Sequence, residues 1–119
     1  MNSLEILKNA AAILDSKKAE EILAIDIHGI SVIGDYFLIA SGTSTTQVKA
    51  LAEEIDFKLS ELGVNPLRTE GAQSASWIIL DYGDVIIHIF HKETREFFNL
   101  ERLWADGKTM SNEELAISN

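Results

Sequence analysis

At 119 residues the chain is sized for a single domain, and its 46% hydrophobic content is enough for a real core. With no cysteine it has neither disulfides nor thiolate metal sites. Nineteen acidic against ten basic residues give a formal net charge of −9, which disfavours direct contact with nucleic-acid phosphates. That balance suits either plain solubility or a basic partner.

The opening MNSLEILKNA has no positively charged start followed by an apolar run, so no signal peptide is expected. No apolar segment approaches the ~18 residues of a membrane helix. A cytoplasmic location without membrane association is the expectation. No internal repeat or low-complexity tract is visible.

Leu4, Leu7, Ala11 and Leu14 recur at helical spacing, so residues 3–14 are predicted as an amphipathic helix capped by Ser3. Residues 21–28 alternate Leu23, Ile25 and Ile27 with Ala24, Asp26 and His28, the pattern of a half-buried strand ended by Gly29. Residues 36–40 form a short apolar run, read as a buried strand. Ser44 and Gln47 then fit a capping box. Val48, Leu51, Ala52, Ile55, Leu59 and Leu62 form one helical stripe, stopped by Gly63 with Pro66 close behind. Phe57 lies off this stripe and is read as edge packing.

Residues 67–70 are a candidate short strand and 71–76 a loop. Residues 77–82 and 84–90 read as a β-hairpin. With Tyr82 and Gly83 as loop residues, Asp81 faces Asp84, Ile79 faces Ile86 and Trp77 faces His88. Period-2 geometry then puts Trp77, Ile79, Asp81, Asp84, Ile86, His88 and Phe90 on one face, with Ile78, Leu80, Val85, Ile87 and Ile89 on the other. The aliphatic face should be core, and the mixed face should partly see solvent or a partner. Residues 94–103 are predicted as a last helix capped by Thr94, with Phe97, Leu100 and Trp104 on one side. The pattern fades after Trp104, so residues 1–104 are taken as the domain and 105–119 as a mobile or weakly helical tail, dispensable for the core.

Few residues suggest chemistry. Residues 41–44, Ser-Gly-Thr-Ser, join a strand to a helix start, a geometry that suits an anion. A nucleotidyltransferase loop of that kind also needs a nearby carboxylate pair for metal, and no such pair follows; a plain connection with a capping serine is the better reading. His88 and His91 are three apart on a strand and point to opposite faces, so structural roles are expected rather than a metal pair. His28 is read as a lone strand-end histidine. Asp81 and Asp84 flank a turn, where aspartates favour local backbone bonds. Glu93, Arg95, Glu96, Glu101 and Arg102 alternate in sign, as on a solvated face with weak ion pairs. Trp77 is a candidate interface anchor, with core burial as the competing role. No catalytic set, metal site or cofactor is expected.

Across residues 4–104 the chain resembles the Iojap family, the bacterial ribosomal silencing factors. The resemblance rests on Lys18-Ala19, Asp35-Tyr36-Phe37, Ser41-Gly42-Thr43-Ser44, Gln47-Val48-Lys49-Ala50, Glu70-Gly71, Trp77, Asp81-Tyr82-Gly83-Asp84, His88-x-Phe90 and Arg95-x-Phe97. Phe98 stands where the family often has tyrosine. The resemblance implies an α/β fold, a mixed β-sheet flanked by helices, nucleotidyltransferase-like without the catalytic acids. It implies binding to the large ribosomal subunit through ribosomal protein fourteen, a block on subunit joining and repression of translation. A homodimer is a further implied state. With the register above, the partner-binding residues are expected to be Glu70, Trp77, Ile79, Asp81, Asp84, His88 and Phe90. The alternatives are a nucleotidyltransferase-like enzyme and a generic dimeric adaptor.

Overall fold

A computed structural model of the chain describes residues 1–30, 32–103 and 105–117. Its elements, in chain order, are α1 (Ser3–Ser16), β1 (Glu20–Asp26), β2 (Tyr36–Gly42), α2 (Thr45–Glu61), β3 (Arg68–Glu70), β4 (Trp77–Asp81), β5 (Val85–His91), α3 (Lys92–Phe98), α4 (Leu100–Leu103), β6 (Lys108–Met110) and α5 (Asn112–Leu115). The strands form one six-stranded mixed sheet in the order β3-β4-β5-β2-β1-β6. Only the central pair, β2 and β5, is parallel; the other neighbours run antiparallel.

The two faces of the sheet are covered unequally. On one face α1 and α2 bury Leu7, Leu14, Leu51, Ile55 and Leu59 against Leu38, Ile78, Leu80, Ile87 and Ile89. On the other, a smaller cluster gathers Ile25, Ile27, Phe37, Ile39, Phe90 and Leu100, with Trp77 and Ile86 half-buried at its margin. β2 is therefore buried along its whole length, the condition under which a strand reads as a continuous apolar run. β1 keeps the predicted Leu23, Ile25 and Ile27 face, but Ala24 on its other side is buried as well, under the helices.

Helix ends follow local hydrogen-bonding rules, with some shifts from expectation. α1 is capped by Asn2, whose side chain accepts the Glu5 N–H while Glu5 returns to the Asn2 N–H; Ser3 instead donates to Asp35. Ser44 does cap α2, accepting the Gln47 N–H at 3.0 Å. Gln47, however, accepts from the N–H and hydroxyl of Thr43, so the reciprocal bond falls one residue earlier than in the expected box. α2 ends in a Schellman turn, with the Gly63 and Val64 N–H groups donating to the Ser60 and Leu59 carbonyls. Leu62 leaves the stripe and is half exposed, and Phe57 is largely exposed rather than edge-packed.

The hairpin register is shifted by two residues. Trp77 pairs with Phe90, Ile79 with His88 and Asp81 with Ile86. The Tyr82 N–H donates to the Val85 carbonyl, so the turn centres on Gly83 and Asp84. Gly83 sits at φ +85°, where a side chain would be strained. A shift of two leaves each strand's faces unchanged, so the predicted aliphatic face is indeed core. Asp84 alone changes place, from the sheet face to the exposed turn.

The last helix is two short ones. His91, not Thr94, caps α3, and Asn99 in left-handed geometry separates it from α4. Phe97 is consequently turned to solvent while Leu100 is buried; Trp104, expected beside them, lies outside the described residues. The larger correction concerns Arg95 and Glu101, predicted on a solvated face. Arg95 is 6% exposed. Its Nη1 donates to the Glu21 carbonyl at 2.7 Å and the Ser41 hydroxyl at 2.8 Å, and its Nε to Glu101 at 3.2 Å. Beyond residue 105, expected as a mobile or weakly helical tail, the described residues form a short strand and the four-residue helix α5. β6 pairs with β1 through Met110, Thr109 and Lys108, Ser111 and Glu114 form a capping box, and Leu115 is buried in the helical-side core.

Two outcomes follow for stability. Arg95→Ala should destabilise the fold by about 3 kcal/mol, because it strands a carboxylate and two acceptors that the guanidinium satisfied; urea melts measure it, and a loss under ~1 kcal/mol would contradict the clamp. Truncation after Asp106 removes the β6 pairing and Leu115 and should cost ~2 kcal/mol or more, about the burial of one leucine. An unchanged midpoint would show that the C-terminal segment adds nothing to the core.

Candidate functional site

The sheet face away from α1 and α2 carries the chain's mixed aromatic and acidic residues. β3, β4 and β5 supply them in cross-strand pairs: Glu70 opposite Ile79, Arg68 opposite Asp81, Ile79 opposite His88, Asp81 opposite Ile86 and Trp77 opposite Phe90. Together with Phe37 from β2 and Ile33 from the preceding segment, Arg68, Glu70, Ile79, Asp81, Ile86 and His88 line a groove of about 320 Å³. Its walls are largely apolar and its rim is acidic. Glu70 makes no ion pair among the described residues, while Asp81 meets Arg68 at 3.5 Å. Asp81 also accepts the Gly83 N–H at 2.8 Å, the local turn bond expected of it.

An aromatic stack packs against the groove through His88 and Phe37. Trp77 lies over Phe90 with ring centroids 4.8 Å apart and meets Phe98 at 5.0 Å. Its indole N–H donates to His88 Nδ1 at 3.1 Å, and Phe37 meets the same imidazole edge-on at 4.9 Å. The loop before β4 fixes where Trp77 can sit. Gly71 has φ +85°, and a Cβ there would fall 2.0 Å from the Trp77 carbonyl oxygen. Glycine is thus the residue that lets β3 turn back against β4.

His88 is 5% exposed, and burial lowers its pKa from 6.5 to about 4. It is neutral at ordinary pH. Because Nδ1 accepts from Trp77, the ring proton is assigned to Nε2. The groove therefore has a neutral floor beneath an acidic rim.

The predicted site residues divide into three groups. Glu70, Ile79 and Asp81 line the groove; Trp77, half-buried, is outside its lining and touches it through the bond to His88. His88 and Phe90 are on the same face but buried: His88 forms the groove floor, while Phe90 lies beneath Trp77 and only supports it. Asp84 is absent from the face; its carbonyl instead accepts the Asp35 and Tyr36 N–H groups at 2.7 and 3.0 Å, tying the hairpin turn to the start of β2. Sequence reasoning missed Ile33, Phe37 and Arg68. For Arg68 the signal was present, since it lies two residues before Glu70 on one strand. Ile33 and Phe37 reach the groove only through the β2–β5 pairing, which no local pattern reveals. Away from the groove, His91 Nδ1 accepts the Glu93 N–H at 3.3 Å, a structural role. Ser41 is 1% exposed and engaged by Arg95, so residues 41–44 form a joint. No cluster of three or more His, Cys, Asp or Glu able to hold a metal occurs among the described residues.

The buried imidazole makes stability depend on pH. A depressed histidine pKa means the unfolded chain takes up its proton first as pH falls, so stability is lost between about 6.5 and about 4. From pH 7 to pH 5 the loss at this site should be about 2 kcal/mol. Urea melts at the two pH values, compared with His88→Gln, test it; an equal slope in the variant would remove His88 as the cause.

Comparisons with known proteins agree with this architecture. The family described as "Ribosomal silencing factor during starvation" matches residues 1–119. The chain is 50% identical over 106 residues to the ribosomal silencing factor RsfS of Bacillus subtilis (strain 168), spanning 89% of this chain and 90% of that one. A crystal structure of a protein from Chromobacterium violaceum superposes with a TM-score of 0.86 at 34% identity, covering 93% of this chain and 92% of that one. A Mus musculus protein named "Mitochondrial assembly of ribosomal large subunit protein 1" is 32% identical over 96 residues, 78% of this chain and 42% of its own length. On the match along its whole length and the shared mixed sheet, the chain belongs to the ribosomal silencing factor family.

Proposed function

We propose that the protein binds the large ribosomal subunit through ribosomal protein fourteen and acts by occlusion, filling a surface the small subunit needs and so repressing translation in the cytoplasm. The observation that carries this reading is the groove of acidic rim and apolar wall on the less covered sheet face, in a chain of net charge −9 that belongs to the silencing family. Ribosomal proteins are generally basic, so charge steers the approach while apolar contact holds the complex. The mouse relative's name, which refers to assembly of the large subunit, points to the same particle. No helix among the described residues is long and apolar enough to cross a membrane.

The proposed contact residues are Glu70, Trp77, Ile79 and Asp81, with His88 and Phe90 fixing Trp77 from behind. A homodimer using the same face would compete with the ribosome. The enzyme alternative, a nucleotidyl transfer at residues 41–44, has little to work with, because the Ser41 hydroxyl is buried against Arg95.

Sedimentation of the protein with separated subunits is the direct test, with co-migration expected on the large subunit alone. Trp77→Ala should weaken binding at least ~30-fold through a faster off-rate, the loss of an aromatic anchor of about 2 kcal/mol. Glu70→Gln and Asp81→Asn should mainly slow association and flatten its salt dependence. Folded variants that all bind like wild type would move the interface elsewhere.

A further inference from the structure

We infer that His28, as an imidazolium, is a proton-operated clasp on the segment joining β1 to β2, and that it tunes the groove through Ile33. The link to partner binding rests on the function proposed above.

Two carboxylates grip the ring from opposite sides. Nδ1 lies 2.6 Å from Asp26 Oδ1, and Nε2 lies 3.2 Å from Asp35 Oδ1. A neutral imidazole has one N–H, but both of its nitrogens here face acceptors with no hydrogen to give. Only the protonated ring donates to both. Asp26 ends β1 and Asp35 immediately precedes β2, so the bridge closes the intervening segment across its base. The same base is held by the backbone, with the Ile27 N–H donating to the Asp35 carbonyl at 2.8 Å. Loss of the bridge therefore leaves this backbone bond and the sheet in place and removes only the side-chain tie at the base. That segment exposes Ile30 and Val32, and its Ile33 forms part of the groove wall.

The groups around the ring come from four elements. β1 gives Asp26, whose Oδ1 also accepts the His28 backbone N–H at 3.0 Å. The start of α1 gives Ser3, donating to Asp35 Oδ2 at 3.1 Å. β2 gives Tyr36, edge-on to the imidazole at 5.0 Å. β6 gives Lys108, in register opposite Asp26. Among these, the hydrogen bond to Asp26 leads in raising the His28 pKa above 6.5; slight burial opposes it, and the charges of Asp26 and Asp35 add to it. Burial pushes the Asp26 carboxyl up, but its bonds to His28 outweigh that and leave it lowered. The clasp is thus complete below the unfolded value and is released as pH rises through the raised one.

The intact protein decides the matter by NMR. In wild type, the His28 ring should titrate with a midpoint above 6.5, and the Ile33 methyl resonances should move with the same midpoint. Asp26→Asn should lower that midpoint, and His28→Gln should abolish the Ile33 titration. Affinity for purified large subunits should fall about threefold from pH 6 to pH 8.5 in wild type, the size of a partly exposed ion pair, and stay flat in His28→Gln. A His28 midpoint at or below 6.5, or an Ile33 signal that ignores it, overturns the clasp. Binding that occurs but shows no difference between wild type and His28→Gln overturns the tuning. If large subunits fail to bind at every pH, the function proposed above fails, and the two NMR readouts alone decide the clasp.

Discussion

The fold depends on one buried cation. Arg95 joins three parts of the chain that are far apart in sequence: the β1 bulge at Glu21, the end of β2 at Ser41, and the α4 carboxylate of Glu101. A guanidinium removed from water is tolerated only when its donors are satisfied, so these partners must arrive together. Glu21 has no cross-strand partner in β2, since the register slips between Glu20 and Leu23, and it adopts φ +48°. Its carbonyl is thereby free for Arg95. The same Nη1 that donates to this carbonyl also donates to the Ser41 hydroxyl, which turns a loop that could face an anion into a rigid joint between β2 and α2.

That joint explains the asymmetry of the sheet. With α2 fixed at its start by Ser44 and the Thr43–Gln47 bonds, both long helices lie on one face. The other face is left to two short helices, α3 and α4, and to its own side chains. Trp77, Phe90, His88 and Phe37 pack on one another there, so the surface is stiffened from within rather than roofed by a helix. Aromatic stacking of this kind adds stabilisation beyond area burial. It also holds an indole half-exposed at a defined angle, which is the preorganisation that protein recognition rewards.

Much of this was legible in the chain because side-chain alternation survives errors of register. The hairpin was misaligned by two residues, yet each strand kept its faces, since period 2 is blind to an even shift. Only Asp84, which lay at the misplaced turn, moved. The β2 run, the α2 stripe and its Ser44 cap were readable for the same local reason. Arg95 was not, because its sequence neighbours are charged and its true partners lie 74 and 54 residues away. Lys108–Met110 was opaque too: three residues with mostly exposed side chains carry no periodicity, and they are ordered by the free edge of β1. Long-range satisfaction of polar groups, rather than propensity, decided both. The candidate face followed the same division, with Glu70, Trp77, Ile79 and Asp81 given by strand patterning and Ile33 and Phe37 supplied by the sheet's central parallel pair.

The charge arrangement then sets what the groove can select. Arg95, the one buried cation among the described residues, is paired locally with Glu101 and does not line the groove. The floor is an imidazole that burial keeps neutral. What remains at the rim is Glu70, unpaired among the described residues, and Asp81, partly satisfied by Arg68 across 3.5 Å. The Arg68 side of that pair is largely exposed while Asp81 is half-buried, and the contact is long at 3.5 Å, so a cation from outside meets a rim with only a loose internal competitor. An exposed rim charge such as Glu70 guides approach better than it holds a complex. On the proposed reading, residence must come instead from apolar contact with Trp77, Ile79 and the Ile33 wall. A proton-dependent shift of Ile33 would then act on dissociation, the rate that governs how long an occluding factor keeps its surface covered.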